Sequence, residues 1–152
     1  MKKRYLLGMD NGSTVTKAAL YDVEGREIAV AGVQVKPIME KAGFVERDME
    51  ELWQANAKAI RDVIQKAGAD AADIRGLAVT GHGCGAYFVD EQGRPVGNGI
   101  VGTDTRAKSL VERWNKDGTY ELLLPKTMQI IWAGQTLPIV AVALAAASVL
   151  MV

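Results

Sequence analysis

Gly8-Met9-Asp10-Asn11-Gly12-Ser13-Thr14-Val15-Thr16-Lys17 is the stretch on which the reading of this chain turns. It closes a short apolar run that starts at Tyr5 and opens a second one, Thr14 to Tyr21. Asn-Gly between two such runs is the strongest short signal for a β-hairpin, because both residues tolerate positive φ. Glycine in the turn lets backbone N–H groups approach an anion closely. The hydroxyls of Ser13 and Thr14 add donors, and Lys17 adds positive charge. Asp10, at the end of the first strand, suits Mg²⁺, which favours a carboxylate and retained waters. The spacing Gly-x-x-x-x-Gly-Lys-Ser/Thr of a P-loop is missing, and a strand follows instead of a helix. Taken alone, the stretch is equally well a plain hairpin with polar flanks.

Working outward, Asp22-Val23-Glu24-Gly25 reads as a second turn and Arg26 to Val35 as a third strand, with a loop from Pro37 to Arg47. Asp48-Met49-Glu50-Glu51 resembles a capping box, with Asp48 as N-cap and Glu51 at N3. The helix it opens runs to Ala67 and is closed by Gly68. Leu52, Ala55, Ala59, Ile60, Val63 and Ala67 recur at three- and four-residue steps, which predicts one buried face. Arg75 to Thr80 reads as a strand, Gly81 to Gly85 as a glycine-rich loop, and Ala86 to Asp90 as a further strand before the turn at 91–95. A second helix is expected from Thr105 to Lys116. Strands first and helices after them predict a mixed α/β sheet.

The 152 residues allow one domain, and 49% hydrophobic with 24% charged residues is a globular composition. Zero net charge gives no electrostatic footprint for nucleic acid or an anionic membrane surface. With Cys84 the sole cysteine and His82 the sole histidine, an internal disulfide framework and cysteine-rich or multi-histidine metal sites are excluded. The apolar run after Lys2-Lys3-Arg4 is too short for a signal peptide, so the cytoplasm is the expected compartment. No charge follows Lys126, and Ile139 to Val152 is apolar except for Ser148. As a helix that segment spans ~21 Å, short of the ~30 Å hydrocarbon core. A buried or sticky helix is expected there in preference to a membrane anchor.

Four stretches in order carry a family resemblance. Asp10-x-Gly12-x-x-x-x-Lys17 resembles the first phosphate motif of the actin-like ATPases. Gly43-Phe44-Val45-Glu46-Arg47-Asp48, followed by Glu51-Leu52-Trp53, resembles the Gly-x-x-Glu-x-Asp segment of the FGGY carbohydrate kinases. Leu77 to Gly85 is similar to that family's second sugar-contacting strand and loop. Ile100-Val101-Gly102-Thr103-Asp104-Thr105-Arg106 is similar to its Trp-x-Asp-x-Arg motif. The resemblance covers about residues 5–141. It implies an incomplete ribonuclease-H-like (actin-like ATPase) N-terminal domain over residues 1–141, with 142–152 an apolar tail that departs from the family.

The resemblance further implies in-line transfer of the γ-phosphoryl group of MgATP to a ketopentose-type, L-xylulose-like sugar. ATP and Mg²⁺ would be the cofactors and a homodimer the state of the longer kinase; the zero net charge speaks against a nucleic-acid partner and the short tail against a membrane one. Asp10 would hold Mg²⁺ and the phosphates, with Gly12, Ser13, Thr14 and Lys17 lining the phosphate hairpin. His82, Gly83, Cys84, Asp104 and Arg106 would form the sugar side. Asp104 would accept sugar hydroxyls and Arg106 would brace its loop. The family's aspartate base and adenosine pocket lie further along, so this chain is expected to be inactive alone. In the xylulose kinases a Met-His pair stands where this chain has Gly83-Cys84, and the family's Trp is here Gly102; both differences bear on which sugar fits.

Plainer expectations stand beside these. His82 serves a loop hydrogen bond as readily as a substrate. Cys84 is a small buried residue, Asp104 and Arg106 make a surface pair worth ~0–1 kcal/mol, and Trp53 and Trp114 are core or half-buried packing. Two other functions compete with the kinase fragment: a sugar- or phosphate-binding interaction fragment, and a small protein tethered to a membrane by its tail.

Overall fold

The computed structural model describes residues 4–150. Residues 1–3, 151 and 152 and the side chains of residues 147–150 lie outside what is described, and with them Lys2, Lys3 and the Ser148 side chain. The elements run β1 (Tyr5–Asn11), β2 (Val15–Asp22), β3 (Glu27–Gln34), β4 (Glu46–Arg47), α1 (Met49–Lys66), a 3₁₀ turn (Ala71–Asp73), β5 (Ile74–Gly81), β6 (Gly99–Ile100), α2 (Lys108–Trp114), α3 (Thr119–Thr127) and α4 (Thr136–Leu150). They form two compact units, residues 4–36 with 49–82 and residues 37–48 with 83–150.

The first unit is a four-stranded sheet in the order β3-β2-β1-β5. β2 is antiparallel to β1 and β3, whereas β5 is parallel to β1. A parallel neighbour requires a crossover, and α1 supplies it. The helix starts beside Asp48 and ends before Gly68, whose φ of +60° stops it as expected. Its buried face is Leu52, Ala55, Ala59 and Val63. It packs on β2 and β3, and the core under it joins Ala59 and Val63 to Leu7, Met9, Ala18, Leu20 and Ala29. Fully burying a side chain such as Leu20 or Val63 contributes ~1.5–3 kcal/mol. Thr16 is the polar member of this face, completely buried. Its hydroxyl donates to Asn56 Oδ1 at 2.7 Å, and Asn56 Nδ2 donates to the Leu52 carbonyl at 2.7 Å.

Because α1 covers β2 and β3, Leu77 and Val79 on β5 are left 54% and 69% exposed. Trp53 is exposed as well, against the expectation of packing, since it lies off the helix's buried face. Trp114 is half-buried as expected.

The first hairpin forms, but its turn differs from the expectation. Asn11 pairs with Thr16, so residues 12–15 make a four-residue loop, and neither Asn11 nor Gly12 has positive φ. Glycine is needed at 12 for room: a Cβ there would lie 2.6 Å from the Val15 carbonyl oxygen. The second turn is clasped by Asp22, whose Oδ1 accepts from the backbone N–H of Glu24 and Arg26 while Gly25 sits at φ +86°.

In the second unit β4 and β6 pair antiparallel over two residues each. Part of the expected loop 37–47 is thus strand, and Ile38 bridges Glu46. The expected strand at Ala86 to Asp90 is reduced to two isolated bridges, Ala86 with Ile100 and Val89 with Pro95. β6 is too short to extend a ladder along it, and Asp90 is taken up in a second clasped turn, accepting from the N–H of Gln92 and Arg94. α2 starts at Lys108 and not at Thr105, because the Asp104 carboxylate takes the Arg106 N–H and holds the preceding turn. α3, with Pro125 inside it, was not expected. α4 runs unbroken across the expected boundary at 141/142. Pro138 lies in its first turn, where the missing N–H costs nothing. Ile139 is buried with Ala86 and Ile100, but Leu144 is 64% exposed. Among the described residues no helix is long and apolar enough to cross a membrane.

Candidate active site

The parallel register of β1 and β5 and the antiparallel register of β1 and β2 put Thr80, Asp10 and Lys17 in one row across three strands. All three line one cavity of about 420 Å³ on the sheet face, with Gly8, Ala19 and Ala78 among its walls. Asp10 and Lys17 are exposed and make no ion pair among the described residues, although they are cross-strand partners. Gly12, Ser13 and Thr14 do not line this cavity; they form the tip of the hairpin, where Ser13 and Thr14 are exposed. The structure therefore brings together two of the five phosphate-side residues and adds Thr80, which sequence reasoning passed over. The strand period that places Thr80 beside Ala78 was the available signal.

His82 lies at the end of β5. Its backbone N–H and its Nδ1 both meet the Asn11 carbonyl oxygen, at 3.2 and 3.0 Å. A carbonyl accepts only, so Nδ1 carries the proton in this arrangement. The loop hydrogen bond is thus realised, and it fastens the start of the glycine loop to the first hairpin.

Gly83, Cys84 and Gly85 cross the second unit with Cys84 at φ +64° and Gly85 at +79°. Cys84 is exposed, which corrects the expectation of a buried thiol: with positive φ between two glycines it stands out from the chain. Gly102 packs backbone to backbone against this loop, and a Cβ at 102 would lie 2.9 Å from the Gly83 carbonyl oxygen. A Cβ at Gly134 would meet the Gly102 carbonyl. The approach of these three segments leaves no room for the family's tryptophan at 102.

Asp104 and Arg106 are not a surface pair. Asp104 is 1% exposed, and its carboxylate accepts four hydrogen bonds. Oδ1 takes the backbone N–H and Nε of Arg106; Oδ2 takes the Val45 N–H at 2.7 Å and Arg106 Nη2 at 2.9 Å. Arg106 also donates to Glu46 Oε1 at 2.6 Å, and its guanidinium lies 4.1 Å from the Phe44 ring centroid. Two motifs 60 residues apart in sequence thus interlock. Glu46, quoted above only as part of a motif, is the second carboxylate of this brace. Arg47 beside it is completely buried, which nothing in its charge pattern announced.

Burial pushes the Glu46 carboxyl up, but the hydrogen bonds from Arg106 and Asn98 and the charge of Arg106 outweigh it and hold it below the ordinary value of 4.5. Burial likewise pulls Arg106 down, and its bonds to Asp104 and Glu46 carry it above the ordinary arginine value. A carboxylate lowered in the folded state stabilises the fold above its unfolded pKa and loses that contribution as the pH falls through the folded one. Glu46→Gln is therefore expected to give a shallower loss of stability below about pH 4.5, read as urea midpoints at pH 6, 4 and 3. An unchanged slope would show that Glu46 does not carry charge in the brace.

The sequence profile of the FGGY family of carbohydrate kinases, N-terminal domain, matches residues 5–142. The chain is 40% identical over 135 residues to a protein of Pasteurella multocida (strain Pm70) named probable L-xylulose kinase, covering 89% of this chain and 28% of that one. It is 39% identical over 131 residues to the L-xylulose/3-keto-L-gulonate kinase of Escherichia coli (strain K12), covering 86% and 26%. The crystal structure of a ligand-bound xylulose kinase from Lactobacillus acidophilus superposes with a TM-score of 0.73 at 26% identity, over 80% of this chain and 24% of that one. The fold is thus that of the actin-like ATPase sugar kinases, and this chain spans about a quarter of the length of such relatives. With that profile matched over most of its length and relatives at 39–40% identity, the chain belongs to the FGGY family of carbohydrate kinases.

Proposed function

We propose that this protein is the N-terminal part of an ATP-dependent kinase for a ketopentose-type sugar resembling L-xylulose, and that the chain by itself holds reactants without transferring phosphate. The observation that carries the reading is the row Lys17–Asp10–Thr80, with the carboxylate and the ammonium side by side and left open by the sheet. A lone open carboxylate next to incoming phosphates suits Mg²⁺, which commonly takes one or two protein carboxylates and fills its shell with phosphate oxygens and water. Among the described residues no cluster of three or more metal-ligating side chains exists, so the cation would be held by Asp10 and the nucleotide. Bound Mg²⁺ would neutralise charge on the transferring phosphoryl group. Lys17 and the hydroxyls and N–H groups of Ser13, Thr14 and Gly12 would bind the remaining phosphate oxygens.

On the sugar side, His82 fixes the start of the glycine loop, and Gly83 and Cys84 form its exposed crest. Asp104 reaches a sugar hydroxyl only by exchanging one of its four present donors, so its role is to hold the loop, with Arg106, and it does not serve as the general base. A base must stand within hydrogen-bond reach of the hydroxyl it deprotonates. This supports the reading that transfer requires residues of a longer protein.

Calorimetry of the chain with MgATP tests the phosphate side. Asp10→Ala is expected to weaken MgATP binding by about tenfold or more and to abolish the difference between ATP with and without Mg²⁺. Equal affinity for wild type and variant would refute it. Robust sugar-dependent ADP release by the 152 residues would refute the inactivity of the chain. A second reading, an interaction fragment, is favoured by the exposed Leu77, Val79 and Leu144, and it predicts no response to Mg²⁺ at all.

A further inference from the structure

The second unit contains a cavity of about 320 Å³ that no motif announced, lined by Cys84, Thr127, Gln129, Ile131, Gln135 and others. This volume is at the small end of the range for small-molecule sites, ~300–1,000 Å³. Most of its polar groups are satisfied from within. Thr136 Oγ1 donates to the Gly85 carbonyl at 2.7 Å, Thr127 Oγ1 donates to the Leu123 carbonyl at 3.1 Å, and Gln135 Nε2 donates to Gln129 Oε1 at 2.6 Å. The exception is Gln135 Oε1. Gln135 is 8% exposed, yet this oxygen is buried with no hydrogen-bond partner. A buried acceptor left unsatisfied costs ~1–3 kcal/mol, so an amide oxygen in that condition marks a place where a donor belongs.

Gln135 is held by bonds of its backbone and of its amide nitrogen. Its backbone N–H is bonded to the Trp132 carbonyl, its own carbonyl accepts the Ile139 N–H that starts α4, and its Nε2 is held by Gln129. Gly134, immediately before it, is pressed against Gly102, and its carbonyl accepts the Gly85 N–H at 3.1 Å. The amide is thus tied through its nitrogen to Gln129, and Cys84 of the glycine loop lines the same cavity. An acceptor otherwise left unpaired discriminates well: a ligand with a hydroxyl at that point is bound, and one without it leaves the oxygen unpaired.

We propose that Gln135 is a specificity-determining residue whose Oε1 accepts a hydrogen bond from one hydroxyl of the sugar, with Cys84 lining the same pocket. The proposal rests on the sugar-kinase reading and adds to it the residue that reads the sugar. Its chemistry requires a small polyhydroxylated ligand, and it makes the configuration at one carbon decisive, because an epimer turns that hydroxyl away.

The test is calorimetry of the whole chain against L-xylulose, D-xylulose and D-ribulose. Wild type is expected to bind one of these best, and Gln135→Met to weaken that sugar by about tenfold, the worth of a hydrogen bond to a buried acceptor. The variant is also expected to narrow the spread among the three sugars. Lys58→Ala, on the exposed face of α1, is expected to change nothing. Binding by wild type with no loss in Gln135→Met would overturn the role of Gln135 and leave the sugar-kinase reading standing. No binding of any of the three sugars by wild type would overturn both. If Gln135→Met fails to fold, the side-chain NH₂ resonances of Gln135 in ¹⁵N-labelled wild type decide. They are expected to shift during the titration, and stationary resonances at saturating sugar mean that water alone satisfies the oxygen and the proposal is wrong.

Discussion

Arg106→Met is expected to lower the unfolding free energy by about 3–5 kcal/mol, the cost of leaving a buried charge without its partner. The substitution removes two of the four donors on the Asp104 carboxylate and the closest contact of Glu46. Asp104 has no exposed side-chain surface and Arg106 only 12%, so water cannot replace what is lost. Native domains are stable by only ~5–15 kcal/mol, so a single change of this kind consumes a large part of the margin. Urea titration of both proteins measures it directly. Asp104→Asn combined with Arg106→Met is expected to recover part of the loss, because the stranded charge is then gone. A cost below about 1 kcal/mol for the single variant would class the brace with solvent-exposed pairs.

Gly134→Ala is the second large effect, expected to cost about 3 kcal/mol, the upper end of what over-packing does. The added Cβ would meet the Gly102 carbonyl, and the obstacle is backbone on both sides, so no side chain can swing away. Relief requires opening the contact between the glycine loop and the entry to α4, which also breaks the Gly85–Gly134 hydrogen bond. The melting temperature of the variant checks this, and a shift within a degree or two of wild type would mean that the three segments are not close-packed.

Much of this arrangement was legible beforehand, and the reasons are local. Asp48 and Gly68 mark the ends of α1 because capping and positive φ are properties of single residues. The period of Leu52, Ala55, Ala59 and Val63 marks its buried face for the same reason. The hairpin around Gly12 was legible as a hairpin. Its turn type was not, because the loop is set by the pairing of Asn11 with Thr16, a matter of register. The strand expected at Ala86 to Asp90 had the right composition but found only isolated partners, which no local pattern reports.

The site divides along the same line. Asp10, Lys17, Asp104 and Arg106 could be named from motifs, but whether Asp104 faces solvent or four donors depends on Val45 and Glu46, nearly sixty residues away. Exposure of Cys84 follows from a positive φ forced by its two glycine neighbours and the backbone packed against them. Gln135 gave one faint signal, a polar residue set into an apolar, uncharged stretch, and only the buried, unpaired oxygen gives it meaning.

The strand that brings Thr80 level with Asp10 has a further consequence. In the described sheet β5 is hydrogen-bonded along one side only, and its outer rim repeats unpaired N–H and C=O groups beside Leu77 and Val79. Such a rim is a template for intermolecular zipping, so solutions of this chain are expected to cloud sooner as its concentration rises.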